Sequence, residues 1–354
     1  METPVKGDNI ASGEEVRVDS ASIEQTLAEL WRVEKRDDDQ AVTRAALWNV
    51  VAHSATSEHH AEASETLGKA SIAVPQRTIV VHADPTAASE MSSWISSNCH
   101  LLGEGKQVCS DEIKIVAGGD RVARVPPLVS ALLIPDMPVA VWWLGDLPHE
   151  NPDYVEALLE PADRLIVDSS FFDNPADLEL VAGVAQRTTT APADLNWIRL
   201  EEWRVATASL FDPPPMRAKL RDVRRIRIVA DVMQSNYFGE KIESLLFASW
   251  VLAQAGCEID RVEIEIEQRQ SLRLGLLRVD VTIDDGSSAT IERDMERGIL
   301  VTSYDGQTIV PDGVTRARKR TIDELIVREL KDPASDRLLL KVLPVSVDLA
   351  KRVA

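Results

Sequence analysis

At 354 residues the chain is long enough to form two domains, each with its own buried core. Its 58 acidic and 39 basic residues give a net charge of −19, which argues against nucleic acid or an anionic membrane as partner, because both need a cationic face. No run reaches the roughly 20 apolar residues of a membrane-spanning helix, and the opening METPVKGDNIASGEE lacks the apolar core of a secretory signal.

Taken in order, residues 1–19 are polar and read as a loose arm. Ser22 and Gln25 have the spacing of a capping box, with Ile23, Leu27, Leu30 and Trp31 on one stripe of the helix that follows. The charged run Lys35–Gln40 marks a boundary. Ala45–Ala52 and Arg77–Ala83 read as strands, with a polar, histidine-bearing helix at Ser57–Lys69 between them. Asp84-Pro85 predicts a cap and first-turn proline for a helix through Trp94 and Ile95. Glu112–Ala117 alternates like a half-buried strand, and Arg121–Ile134 is helical in pattern with Pro126-Pro127 starting or breaking it.

The stretch from Leu132 to Ser170 organises the chain. Pro138–Leu144 and Arg164–Val167 are apolar runs too short for helices and read as strands buried on both faces. Pro152–Leu159 between them has helical spacing, so the segment is a βαβ unit with neighbouring parallel strands. Asp168, Ser169 and Ser170 follow the second strand's carboxyl end, where α/β sheets place ligands.

Asn174-Pro175 and Asp194 then cap helices over 176–186 and 195–211, the latter ended by Pro213–Pro215. Ile226–Val232 is a strand and Gly239–Ala255 an apolar helix stopped by Gly256. Arg261–Glu267, Leu277–Ile283 and Ala289–Arg293 alternate by twos, with Gly286 and Gly306 in the turns, and Thr321–Leu330 reads as a closing helix. The fold class is therefore α/β in two domains: an N-terminal α/β sheet domain with helical crossovers over 41–172, after an arm and helix at 1–40, and a C-terminal α+β domain with a mostly antiparallel sheet over 173–354, which includes the helical connection 174–212.

Chemical motifs are sparse. GxGxxG is absent, and Gly105-Lys106 lacks the rest of a P-loop, so no nucleotide cofactor is expected. His53, His59, His60, His82, Cys99, His100 and Cys109 match no zinc spacing, so no metal is expected. Ser169 lacks the flanking glycines of a nucleophile elbow, and every histidine precedes residue 150, so no catalytic triad is expected. The three cysteines stand apart without a CxxC. They read as reduced thiols with no internal disulfide, which suits a cytoplasmic protein.

Basic clusters at Arg217–Arg227 and Arg316–Arg320 read first as a solvated face, with a phosphate-bearing or acidic partner as the alternative. Eight tryptophans against three tyrosines and five phenylalanines is a high count. Trp142 and Trp143 are adjacent on a strand and face opposite sides. Trp197, Leu200 and Arg204 share one helical stripe, with Arg199 and Trp203 on another. Core packing is the default for these tryptophans, while Arg and Trp on one helix also fit an interface hot spot. Candidate binding residues are thus Asp168, Ser169, Trp197, Arg199, Trp203 and Arg204, and no catalytic set emerges.

Four stretches together resemble one family: VCSDEIKI (108–115), LLIPDMPVAVWWLGDLP (132–148), ADRLIVDSS (162–170) and DLNWIRLEEWRVATASLFD (194–212). In this order they resemble the glucose-6-phosphate dehydrogenase assembly protein family, OpcA, over roughly residues 40–300. The resemblance implies a non-catalytic assembly factor and allosteric activator that forms a hetero-oligomer with glucose-6-phosphate dehydrogenase in the oxidative pentose phosphate pathway. Some relatives are linked to thioredoxin control through cysteines. This chain has no vicinal pair, so that switch is not carried over. The alternative reading is a sugar-phosphate-sensing module using Asp168–Ser170 and nearby arginines, with no dehydrogenase partner.

Overall fold

The structure, a computed structural model, describes residues 15–34, 41–102, 106–145, 147, 151–233, 238–270, 275–305, 307–309, 315–332 and 334–353. The polar arm before residue 15, the boundary run Lys35–Gln40, the turn glycine Gly306 and the side chains of Leu30 and Trp31 lie outside the described residues. In chain order the elements are β1 (Val16–Val18), α1 (Ile23–Glu34), β2 (Ala41–Arg44), β3 (Trp48–Ser54), α2 (Ser57–Ala73), β4 (Gln76–Asp84), β5 (Met91–Leu102) and β6 (Lys106–Gly118). They continue with α3 (Val125–Leu132), β7 (Val139–Leu144), α4 (Pro152–Leu159), β8 (Arg164–Val167), α5 (Pro175–Arg187), β9 (Ala191–Asp194), α6 (Leu195–Arg199), α7 (Glu201–Phe211) and α8 (Pro214–Lys219). The last part holds β10 (Val223–Val232), α9 (Gly239–Ala255), β11 (Glu263–Gln270), β12 (Gly275–Ile283), β13 (Ser288–Asp294), β14 (Ile299–Tyr304), β15 (Gln307–Ile309), β16 (Thr315–Arg316), α10 (Ile322–Lys331) and α11 (Arg337–Val353).

The chain divides into two compact units. The first comprises 1–167, 189–191 and 322–334; the second comprises 168–188, 192–321 and 335–354. In the first unit β6, β4, β3, β7 and β8 lie side by side and parallel, with β5 antiparallel to β6 and β1 antiparallel to β5. The expected βαβ unit is present: β7 pairs β8 in parallel with Val141 opposite Leu165, and α4 is the helix between them. Asn151 caps α4 by accepting from Tyr154 N, and Pro152 occupies its first turn where no amide bond is lost. Every residue of β3, β7 and β8 is buried. Trp142 and Trp143 point to opposite faces and are each 2% exposed, so the sheet is covered on both sides.

Three expectations for this unit need correction. The Asp84-Pro85 helix does not form. Asp84 closes a tight turn by accepting from Thr86 N at 2.8 Å and Thr86 Oγ1 at 2.6 Å, and Trp94 and Ile95 lie on β5, which pairs with β6 from Met91 to Leu102. The serines at 92, 93, 96 and 97 are weak helix formers, and the long hairpin partner outweighs a local capping cue. The Ser22–Gln25 capping box is also absent: Ser22 Oγ donates to Asp19 O at 3.0 Å, and Gln25 Nε2 to Glu29 Oε1 at 3.1 Å. Finally, Cys99 and Cys109 are joined by a disulfide instead of being free. The hairpin register places Cys99 directly opposite Cys109, a pairing that ten residues of sequence separation does not announce; Cys257 is free.

The second unit carries a sheet ordered β11-β10-β12-β13-β14-β15, with β16 on β14. β10 and β11 are parallel, and β12, β13, β14 and β15 follow as an antiparallel series. The apolar helix α9 packs on β10, β11 and β12, and α7 on β13 and β14. Gly256 ends α9 in the left-handed conformation, φ 66°, as a C-terminal glycine does. The expected single helix over 195–211 is two, α6 and α7, with the break at Leu200. The closing helix is also not the one at 322–331: α11 follows it and packs against α9 and α5.

Candidate functional site

Apart from the short β2, which pairs with β6, the parallel strands β6, β4, β3, β7 and β8 of the first unit stand in the chain order third, second, first, fourth, fifth. The direction of winding therefore reverses between β3 and β7, and ligands of open α/β sheets gather outside the carboxyl ends at such a point. Here the β3–α2 turn reads Ser54-Ala55-Thr56-Ser57. Ser54 Oγ lies 3.2 Å from Thr56 O and 3.3 Å from Val81 O, and Thr56 Oγ1 accepts from His59 N at 3.2 Å. The helix start is thus capped by its own chain. Opposite it, Gly145 (φ 80°) has His59 as neighbour: a Cβ there would lie 3.5 Å from the imidazole.

Beneath this turn His53 is stacked on Trp143 with ring centroids 4.0 Å apart, and its Nε2 lies 3.0 Å from Tyr154 Oη. Burial, helped by the nearby His82, lowers the His53 pKa to about 3, and burial raises that of Tyr154. His60 is likewise lowered to about 4 by burial, with His82 and Lys114 adding to the effect. A histidine that stays neutral and wedged between aromatic rings serves packing, because a general base needs a pKa near the working pH.

In the second unit Asp168 follows directly on β8. Arg199, at the end of α6, binds it through Nη1–Oδ1 at 2.8 Å and Nη2–Oδ2 at 2.6 Å, while Ser170 Oγ donates to Oδ1 at 2.6 Å. Burial favours the neutral acid, but Arg199 and Ser170 outweigh it and hold the Asp168 carboxyl below its ordinary range. Ser169, fully buried, donates to Asp194 from N at 3.0 Å and from Oγ at 2.7 Å. Asp194 also accepts from Asn196 N at 2.9 Å, which caps α6. Burial, reinforced by the Asp168 charge, raises the Asp194 pKa to about 6. The groups that a sugar phosphate would use at Asp168–Ser170 are thus already bonded to the protein, and the network ties residues 168–170 to the start of α6.

The remaining candidates are also placed. Trp197 and Trp203 are 2% and 1% exposed, which is the default core packing. Trp197 Nε1 donates to Asp336 Oδ2 at 2.7 Å, and Trp203 meets Phe247 edge-to-face at 6.5 Å. The stripe linking Trp197 to Arg204 survives the break at Leu200: the guanidinium lies 3.5 Å from the Trp197 ring centroid, and Nη1 donates to Trp197 O at 2.6 Å. Arg199 and Arg204 keep partial exposure. In the basic cluster, Arg224 pairs with Asp284, Arg225 with Glu265 and Arg227 with Glu267. Arg320 pairs with Glu202 at 2.7 Å. Sequence reasoning missed Asp194 and Asp336 as partners. Asp194 announced itself only as a helix cap, and Asp336 lies 139 residues from Trp197.

Among the described residues no three His, Cys, Asp or Glu side chains converge as metal ligands, and no helix is long and apolar enough to cross a membrane. Residues 68–182 match the pattern of the glucose-6-phosphate dehydrogenase subunit N-terminal domain, and residues 190–343 match that of the C-terminal domain of the same subunit. The chain belongs to the OpcA family. Among curated OpcA proteins, the OxPP cycle protein OpcA of Synechocystis sp. is 30% identical over 174 residues, 48% of this chain and 35% of that protein. That of Nostoc punctiforme is 30% identical over 172 residues, 46% of this chain and 34% of that protein. The match therefore spans about a third of the length of these OpcA relatives. Among solved structures, a levoglucosan dehydrogenase in complex with NADH aligns at TM-score 0.47 and 9% identity, over 88% of this chain and 96% of that chain. An NAD-binding oxidoreductase from Klebsiella pneumoniae aligns at TM-score 0.43 and 13% identity, over 88% and 98%. Overlaps this low say nothing about the chemistry of an OpcA chain.

Proposed function

We propose that this protein binds glucose-6-phosphate dehydrogenase in the cytoplasm and favours its oligomeric, active state without catalysing the oxidation itself. The observation that carries the reading is the tandem match of both OpcA domains, in order, over 68–182 and 190–343. The self-capped β3–α2 turn and the neutral His53 beside it support a role without dinucleotide chemistry. An assembly factor works by differential binding: it shifts the dehydrogenase only by as much as it prefers the competent state. By reciprocity, whatever substrate or cofactor stabilises that state tightens the complex.

The test titrates the purified protein into the dehydrogenase of the same organism at subsaturating substrate, with the mass of the complex measured in parallel. A higher-mass complex and a raised rate are expected. A flat titration with no complex overturns the proposal.

A further inference from the structure

We propose that an uncharged, polyhydroxylated small molecule of the monosaccharide class binds in the cavity between α2 and the β5–β6 hairpin of the first unit. The inference stands apart from the assembly role. The cavity measures about 380 Å³, inside the roughly 300–1,000 Å³ of small-molecule sites.

Its polar centre is Glu112 on β6, only 3% exposed. Oε1 accepts from Ser64 Oγ of α2 at 2.6 Å and lies 3.2 Å from Lys114 Nζ, while Oε2 accepts from Asn98 Nδ2 of β5 at 2.8 Å. A buried carboxylate is tolerated because three donors from three elements converge on it. Lys114 is held in turn by Glu15.

Gly68 gives the second observation. It sits inside the 17-residue helix α2, where glycine weakens the helix relative to alanine. Its φ is not positive, and a Cβ there would meet only Asn98 Nδ2, at an ordinary 3.9 Å. Neither backbone conformation nor packing calls for glycine at 68. What a side chain there would occupy is the cavity that Gly68 lines.

The ligand class follows from the charges. Glu15, Glu65 and Glu112 share the lining with Lys69 and Lys114. Glu65 pairs with Lys69 at 2.6 Å and Lys114 bridges Glu15 and Glu112, so these charges are spent on one another and favour neither an anion nor a metal ion or an amine. A hydroxyl both donates and accepts, so it can use the carboxylate lone pairs and ammonium N–H groups that these pairs leave over. Ile72, 59% exposed on the same lining, offers an apolar wall to the C–H face of a ring.

The test is saturation-transfer NMR on the full chain with D-glucose and myo-inositol, and acetate as the anionic control. Transfer to at least one polyol and none to acetate is expected, cut at least fivefold by Gly68→Leu. Gly68→Ala should weaken the signal while raising the melting temperature, because it strengthens α2. No transfer to either polyol, equal transfer to acetate, or a signal unchanged by the Gly68 variants overturns the proposal. If Gly68→Leu fails to fold, the Gly68→Ala result decides alone.

Discussion

Arg199 grips both carboxylate oxygens of Asp168, at 2.8 and 2.6 Å, across 31 residues of chain. The pair fixes the segment that leaves β8 against the end of α6. A bidentate fork of this kind is stronger than a neutral hydrogen bond and sets orientation as well as energy.

Arg199→Ala would strand a nearly buried carboxylate. Breaking a buried pair costs about 3–5 kcal/mol, and the 29% exposure of the Arg199 side chain places this one at the low end. Urea unfolding at pH 7 should show a loss of roughly 3 kcal/mol. Arg199→Lys should recover only part of it, since an ammonium lacks the fork. Because Asp168 is held below its ordinary pKa, its contribution is present above the unfolded value near 4 and is lost as pH falls through the lower folded value.

Asp194 has the opposite sign. Its folded pKa, about 6, lies above the ordinary 3.8, so its stabilisation is complete below about pH 4 and is lost as pH rises through 6. The shift corresponds to about 3 kcal/mol at most. Asp194→Asn removes the titration and keeps an acceptor for Ser169 N and Asn196 N. The variant should therefore lose less stability than the native chain between pH 4 and pH 7, as compared by urea midpoints at the two values.

The parallel core was legible because its strands are uninterrupted apolar runs between turn residues, as in Val139–Leu144 and Arg164–Val167. The β5 hairpin was not, because local cues at Asp84-Pro85 point to a helix and only a distant partner, β6, decides otherwise. α11 escaped because Pro344 interrupts its pattern, yet Pro344 lies within the helix. At the candidate site the residue types were readable, but their engagement was not. That Arg199 is spent on Asp168, and Trp197 on Arg204 and Asp336, depends on approaches between elements that one-dimensional spacing does not encode.

Gly256 tests a purely backbone contribution. At φ 66° nothing lies within 4 Å of where a Cβ would be, so Gly256→Ala adds no clash. The left-handed conformation alone should cost about 1 kcal/mol. A melting temperature lowered by a few degrees, with unchanged far-UV circular dichroism, is the expected result.

His53 gives the last prediction. With its folded pKa lowered to about 3 by burial and by His82, the ring stays neutral where an unfolded histidine, near 6.5, would take up a proton. The stabilisation is therefore present above about pH 6.5 and is lost as pH falls toward 3. This runs counter to Asp194 over part of the same range, so the two must be separated by single variants. The His53 ring signals in an NMR titration should not move between pH 8 and pH 5. His53→Phe keeps the stacking on Trp143, 4.0 Å between centroids, but gives up the contact with Tyr154 Oη. That loss should cost about 1 kcal/mol at pH 7.5. At pH 4.5 the penalty should shrink or reverse, because the native chain has by then lost roughly 2–3 kcal/mol to protonation of the unfolded state. A histidine signal that titrates near pH 6.5 in the folded chain would show an exposed, protonatable ring and remove the basis for reading this crevice as a packed one.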